Sequence, residues 1–314
     1  MFGRFAPSPT GDFHIGNLRT GLLAWAFARN SDLGFHLRVE DLDERSRSEY
    51  CQRQLADLAA IGVEWDEPVL YQSTRIPRYE AVFAELMERG LVYECYCTRR
   101  ELAQIAAAPH SPPGAYPGTC RNLTVDQRKQ RRAELAKLGR GPAFRLRTET
   151  AELTVTDQLY GDYTGAVDDF VIRRSDGVFS YNFVSVIDDA DFHISQIVRG
   201  DDLLPSTARQ AYLQDILGAP RPSYVHVPLV LNLAGQRLAK RDGAVSLRQL
   251  AEFGWQPADV IELLSASLGW ADVRSGAEFL RRFDPEQLPR EPWLVDVAQL
   301  EQGPSFNTRV PKEN

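Results

Sequence analysis

Three separated segments of this chain carry residue types able to handle a phosphorylated substrate: residues 4–16 (RFAPSPTGDFHIG), 198–202 (VRGDD) and 237–241 (RLAKR). In the first, a strand-like GRFA runs through a Pro-Ser-Pro-Thr-Gly turn into His14-Ile15-Gly16-Asn17, at the mouth of an apolar-periodic stretch. A strand that turns into a helix start collects unpaired backbone N–H groups and a positive dipole end, where an anionic phosphate can sit. His14 supplies a donor for a phosphate oxygen, and Gly16 lets the backbone or a ring approach with no Cβ in the way. The third segment places Arg237, Lys240 and Arg241 in a short loop between Gly235 and Gly243, suited to a mobile cationic clamp on a transferring phosphoryl group.

A second constellation is sulfur. Cys95 and Cys97 in CYC, and Cys120 after the turn-rich PHSPPGAYPGTC, can fold three thiolates toward one point, as a zinc site requires. On residue chemistry alone His110 is a candidate fourth ligand, and the alternative is three small buried thiols without metal. Cys51 lies in the helical stretch EYCQRQLADLAAIG and reads as an inert buried thiol.

The elements that must position these residues alternate. Residues 3–6 and 35–40 read as strands, 17–30, 47–61 and 75–90 as helices, and 69–71 as a short strand. That alternation predicts βαβ units and a doubly wound parallel sheet of the α/β class. The pattern breaks at Tyr93, where cysteines, a Pro/Gly-rich loop and a basic helix precede the strand candidates 143–147 and 153–156. It resumes with 170–174, 181–189 and the strand 193–199; Ser206 or Thr207 is the expected cap of a helix running to Leu217. One strand is expected over Tyr224–Leu231, and helices after Gly243. The expected division is 1–90, first half of the nucleotide-binding fold; 91–168, an insertion; 169–235, the second half; and 236–314, the cationic loop with a short helical module.

The 314 residues can bury a substantial core, and no apolar run approaches the ~20 residues of a membrane span. A start without a basic and apolar leader, and clustered rather than framework-spaced cysteines, point to a reducing, cytoplasmic setting. The net charge of −7 opposes general nucleic-acid binding, yet residues 121–147 concentrate Arg121, Arg128, Lys129, Arg131, Arg132, Lys137, Arg140, Arg145 and Arg147. Such a run is either a solvated helix face or a surface for RNA phosphates.

Taken together, HIGN and RLAKR resemble the HIGH and KMSKS motifs of the class I aminoacyl-tRNA synthetases, and RFAPSPTG with VRGDDLL resembles the glutamyl branch, over roughly residues 1 to 250. The resemblance implies a Rossmann-like catalytic domain that binds ATP, with Mg²⁺, through His14, Gly16, Asn17, Arg237 and Lys240. It implies L-glutamate held by Arg4, Phe5, Ala6, Pro7, Ser8, Glu40, Tyr181 and Arg199. Arginine suits the substrate carboxylate because its planar fork makes two parallel bonds. Glutamate's carboxylate would attack the α-phosphorus of ATP, with His14, Gly16, Asn17 and Lys240 as the catalytic set. The sequence departs from the motifs at Asn17, Arg237 and Ala239.

Tyr116, before Cys120, matches a tyrosine in the zinc site of the glutamyl-queuosine tRNA(Asp) synthetases, implying one structural Zn²⁺ on Cys95, Cys97, Tyr116 and Cys120. Full glutamyl-tRNA synthetases continue past the cationic loop with helical anticodon-reading domains, whereas residues 242–314 read as a short module. This plan is similar to the glutamyl-queuosine family, which esterifies glutamate to queuosine in the anticodon of tRNA(Asp). A monomer without membrane contact is expected. The alternatives are a compact glutamyl-tRNA synthetase charging tRNA(Glu) and a non-catalytic paralogue that binds glutamate or RNA.

Overall fold

In the computed structural model, residues 1–98, 100–102, 115–238 and 245–304 are described. The chain divides into two compact units. Met1–Tyr71, Ile194–Asp202 and Pro222–Asn314 form the first, and Gln72–His193 with Leu203–Arg221 the second.

The first unit is built on parallel strands: β1 (Phe2–Phe5), β2 (Gly34–Val39), β3 (Leu70–Tyr71), Ile194–Gly200 and Ser223–Val227. Their order is β3, β2, β1, Ile194–Gly200, Ser223–Val227. The chain therefore winds outward from β1 in one direction and then in the other. In open α/β sheets ligands bind beyond the carboxyl ends of the strands at such a reversal. Helix α1 (Ile15–Asn30) is apolar on nearly every side, and Leu18, Leu22, Leu23, Trp25 and Phe27 are all buried. It covers the sheet face of Gly3, where a Cβ would come within 2.7 Å of Ala28 Cβ. Helix α2 (Ser48–Ala60) is amphipathic and buries Cys51, Gln54 and Leu58.

Two expectations change here. The strand expected over Tyr224–Leu231 is broken into Ser223–Val227 and Val230–Asn232. Pro228 interrupts it, because proline has no N–H for the ladder. The C-terminal module has its helices, Leu247–Glu252, Pro257–Ala266 and Gly276–Arg282, but also a strand, Trp293–Val295, parallel to Val230–Asn232. Its core is aromatic: Trp270 meets Phe279 edge-on at 5.5 Å, and Phe283 meets Phe27 of α1 at 5.0 Å.

The second unit holds an antiparallel sheet of Val92–Cys95, Ala143–Leu146 and Val171–Arg173, and an antiparallel hairpin of Glu152–Asp157 with Gly161–Ala166. The segment 170–174 thus joins the sheet of the cysteine-bearing strand, not a parallel strand. Helices α3 (Ile76–Glu88), Val125–Lys137, Tyr181–Asp191 and Leu204–Leu217 complete it. The last starts ahead of the expected Ser206 or Thr207, because Pro205 occupies the first turn, where no N–H is needed. Asp188, wholly buried, accepts from Tyr79 Oη at 2.9 Å, Gln72 Nε2 at 2.9 Å and Arg75 Nε at 2.6 Å. Among the described residues, no helix is long and apolar enough to cross a membrane.

Candidate functional site

The strand-to-helix turn after β1 ends in a cap made by His14. Its Nδ1 accepts from Gly16 N at 3.1 Å, while Asn17 Oδ1 accepts from His14 N at 3.1 Å, closing a reciprocal capping box. The Gly16 bond has a chemical consequence. With Nδ1 engaged as an acceptor, the proton of neutral imidazole must sit on Nε2, which becomes a donor. Burial, with Arg237 adding repulsion, pushes His14 below its ordinary value of 6.5, so the neutral form is favoured. Gly16 is required by this geometry: a Cβ there would lie 2.9 Å from two atoms of the His14 ring. Asn17 thus has a concrete task as the reciprocal cap.

Beside the turn, the sheet face opposite Gly3 is charged. Arg4 stands opposite His36 on one side and Ile197 on the other, and Arg199 stands opposite His226. Since alternate strand residues share a face, Arg4, Arg38, Arg199 and His226 all project from one side. Each is almost fully buried. Arg199 Nε donates to His226 Nε2 at 3.0 Å, and Arg38 Nη2 donates to Glu40 Oε1 at 3.1 Å. Glu40 N also donates to Pro7 O at 2.9 Å, tying the end of β2 to the turn. Phe5 is buried, Ala6 and Pro7 are half-buried and Ser8 is exposed. Gly200 follows Arg199 where a Cβ would come within 2.5 Å of Asp202 Oδ1, and Asp202 pairs with Arg237. Tyr181 opens the helix Tyr181–Asp191 of the second unit and is half-buried. Lys240, Ala239 and Arg241 lie outside the described residues.

Several of these partners were invisible in the sequence: Arg38, His226 and, on α1, Arg19. Arg19 is 1% exposed, donates to Pro228 O at 2.8 Å and Ser267 Oγ at 3.1 Å, and leaves Nη2 buried with no protein acceptor. Burial lowers its pKa to about 10. It ties α1 to the corner from which the strand Val230–Asn232 departs.

In the second unit the three thiols do converge. The Sγ atoms of Cys95, Cys97 and Cys120 lie within 4.8 Å of one another. Tyr116 Oη stands 3.5 Å from Cys95 Sγ and 3.6 Å from Cys97 Sγ, and Cys97 and Cys120 Sγ are 3.6 Å apart. A tetrahedral zinc with Zn–S of ~2.3 Å and Zn–O of ~2.0 Å separates its ligand atoms by about 3.5–3.8 Å. The four side chains therefore fit the group. Tyr116 is itself held: its N donates to Asp168 Oδ2 at 2.7 Å, its Oη accepts from Cys120 N at 2.9 Å, and the Arg145 guanidinium lies 3.6 Å from its ring centre. Cys120 and Cys97, then Arg145, favour the Cys95 thiolate, whereas burial raises the Tyr116 phenol. His110 lies outside the described residues.

The cations of the basic helix are not alike in their surroundings. Arg131 pairs with Glu101 at 2.8 Å and Glu134 at 3.3 Å, and Arg132 pairs with Glu94. These two cations are engaged, whereas among the described residues Arg128 and Lys129 of the same helix have no ion-pair partner.

Comparison with known proteins adds to this geometry. The family described as tRNA synthetases class I (E and Q), catalytic domain, matches residues 2–302. A glutamyl-Q tRNA(Asp) synthetase of Nocardia farcinica is 59% identical over 93% of this chain and 92% of its own length. One of Symbiobacterium thermophilum is 41% identical over 96% and 97%. The glutamate–tRNA ligase 1 of Caldanaerobacter subterraneus is 38% identical over 95% of this chain but 63% of its own length. Among solved structures, a glutamate tRNA ligase of Elizabethkingia meningosepticum in complex with its amino acid superposes with a TM-score of 0.78 at 26% identity, covering 98% of this chain and 68% of that one. The chain therefore belongs to the class I tRNA synthetases (E and Q), and within them to the glutamyl-Q tRNA(Asp) synthetases.

Proposed function

We propose that this protein activates L-glutamate with ATP and transfers it to queuosine in the anticodon of tRNA(Asp). The observation that carries the reading is the 59% identity, over nearly the full length of both chains, with a protein named for that reaction. Glutamate would lie at the carboxyl ends of the central strands. Arg4 and Arg199 take its side-chain carboxylate, Glu40, oriented by Arg38, takes its ammonium, and Phe5 to Ser8 line the pocket.

The α-carboxylate attacks the α-phosphorus of ATP, an acyl–phosphate bond forms as pyrophosphate leaves, and a queuosine hydroxyl then displaces AMP. Little covalent work falls to the protein. His14 Nε2–H donates to a phosphate oxygen, the N-terminus of α1 presents its backbone donors, and Arg237 and Lys240 neutralise charge moving onto pyrophosphate. Magnesium accompanies ATP as part of the substrate.

We assign residues 91–168 as the RNA-facing insertion, its sheet completed by Val171–Arg173. Cys95, Cys97, Tyr116 and Cys120 would hold one zinc, which supplies a cross-link fixing Cys120 and the strand Val92–Cys95 in place. Arg128 and Lys129 are its exposed cations for backbone phosphates. The thiols, none of them in a disulfide, suit a reducing cytoplasm. Glutamate-dependent ATP–pyrophosphate exchange tests the first half-reaction, and Lys240→Ala should slow it about 10²–10³-fold. No exchange in the wild type, with or without RNA, would favour a non-catalytic paralogue.

A further inference from the structure

One cavity of the second unit shares Cys95 and Cys97 with the thiol cluster, yet the rest of its lining has no role above. About 140 Å³ in volume, it adjoins the thiol cluster and is lined by two kinds of residue. Cys95, Cys97, Leu102, Leu135 and Ala143 form or pack against a single apolar cluster, and all five line the cavity. The remaining wall carries Arg140, Arg145, Arg174 and Ser175, with Asp176 its one acid among the described residues.

The donors of that wall are incompletely used. Arg140 Nη2 reaches Ser175 Oγ at 3.4 Å, and among the described residues no carboxylate pairs with it. Among the described residues, the carboxylate paired with Arg174 is that of the exposed Asp176, two residues away in the same turn. Arg145 is 5% exposed; its Nη1 donates to Asp169 O at 2.7 Å, and its Nε is buried with no protein acceptor. The donors of this wall that an arriving acceptor can reach are therefore those of Arg140 and Arg174, at its rim.

We propose that this cavity takes one unpaired nucleotide of RNA, its phosphate on Arg140 and Arg174 and its base against Leu102, Leu135 and Ala143. The inference deepens the RNA-acceptor reading of the insertion and rests on it. Size and polarity both select for such a ligand. An apolar cavity of ~150 Å³ holds one benzene-sized ring, so a single base fits and a base pair does not. A bare phosphate leaves the apolar half unfilled, and a purely apolar ligand strips water from arginines without replacing their acceptors. Single-stranded RNA is read in this way, with bases splayed out of the stack and phosphates held by cations.

The test uses the full chain and two hairpin RNAs of equal length, one fully paired and one with a single bulged nucleotide. Wild type should bind the bulged RNA about tenfold more tightly, and Arg140→Ala/Arg174→Ala should abolish that preference while Arg174→Lys retains most of it. Should the double variant fail to fold, Arg174→Ala alone, at an exposed position, should lose part of the preference. Cytidine 5′-monophosphate should compete for the bulged RNA, and inorganic phosphate at equal concentration should not. Equal weakening on both RNAs, or equal competition by phosphate, would mean a general phosphate contact and overturn the proposal. A wild type that binds RNA without preference overturns the cavity alone, whereas one that binds no RNA overturns the acceptor reading as well.

Discussion

Replacing His14 separates two tasks that one side chain performs. As the N-cap of α1 it accepts from Gly16 N, and as a neutral imidazole it offers Nε2–H to a phosphate. Asparagine is among the best N-cap residues, so His14→Asn keeps the cap and removes the outward donor. His14→Ala removes both. Loss of a cap costs about 0.5–2 kcal/mol of stability, and loss of one donor aimed at developing charge costs about 10²–10³ in rate, or ~2.7–4 kcal/mol. The Ala variant should therefore melt several degrees lower and the Asn variant near wild type, while both lose 10²–10³-fold in glutamate-dependent ATP–pyrophosphate exchange at saturating substrate. The two assays are independent, so a misfolded variant cannot pass for a catalytic one. An Asn variant that exchanges within about threefold of wild type, well under 1 kcal/mol, would reduce His14 to a cap and refute the reasoning.

Arg199→Ala should raise the glutamate requirement by about 3–5 kcal/mol, roughly two to three and a half decades, because the substrate carboxylate loses its buried partner; unchanged apparent affinity would move the pocket elsewhere. Cys97→Ser and Tyr116→Phe should each lower zinc bound per chain, by elemental analysis after chelator challenge, and weaken transfer to RNA more than glutamate activation; metal-free wild type with full transfer activity would refute this. His14 and His36 are both held below 6.5 by burial, so the unfolded chain takes up their protons first as pH falls, and stability declines below about pH 6.5. Asp57, raised to about 6 by burial, acts in the opposite sense, so the measurement is a difference: His14→Asn should lose less stability than wild type between pH 7 and pH 5, taken as ~two units across the histidine range.

What the sequence revealed depended on how local each signal was. The doubly wound sheet was legible because strands and helices alternate over short distances, and β1, α1, β2, α2, β3 and α3 lie within two residues of expectation at their starts. The break at Pro228 is also a local signal, since a proline inside a strand pattern argues against a continuous strand. Residues that work through distant partners were not legible. His226 owes its place to strand register with Arg199, and Arg19 to a proline more than 200 residues away. The His14 cap was hidden because histidine is not an ordinary cap residue, although Asn17 three positions later completes the box. Arg131 and Arg132 looked available for RNA because their acidic partners Glu101 and Glu94 belong to segments that only folding brings alongside. The thiols announced themselves by type, whereas the hold of Asp168 and Arg145 on Tyr116 required the antiparallel sheet of the second unit.

The most direct test of the account follows labelled glutamate. Incubated with ATP and tRNA(Asp), the protein should label RNA that carries queuosine and leave queuosine-free tRNA(Asp) unlabelled. The label should survive removal of the 3′-terminal adenosine and be lost when the queuosine diol is cleaved by periodate beforehand. Label on the terminal ribose of tRNA(Glu) instead would contradict the account and identify a compact glutamyl-tRNA synthetase.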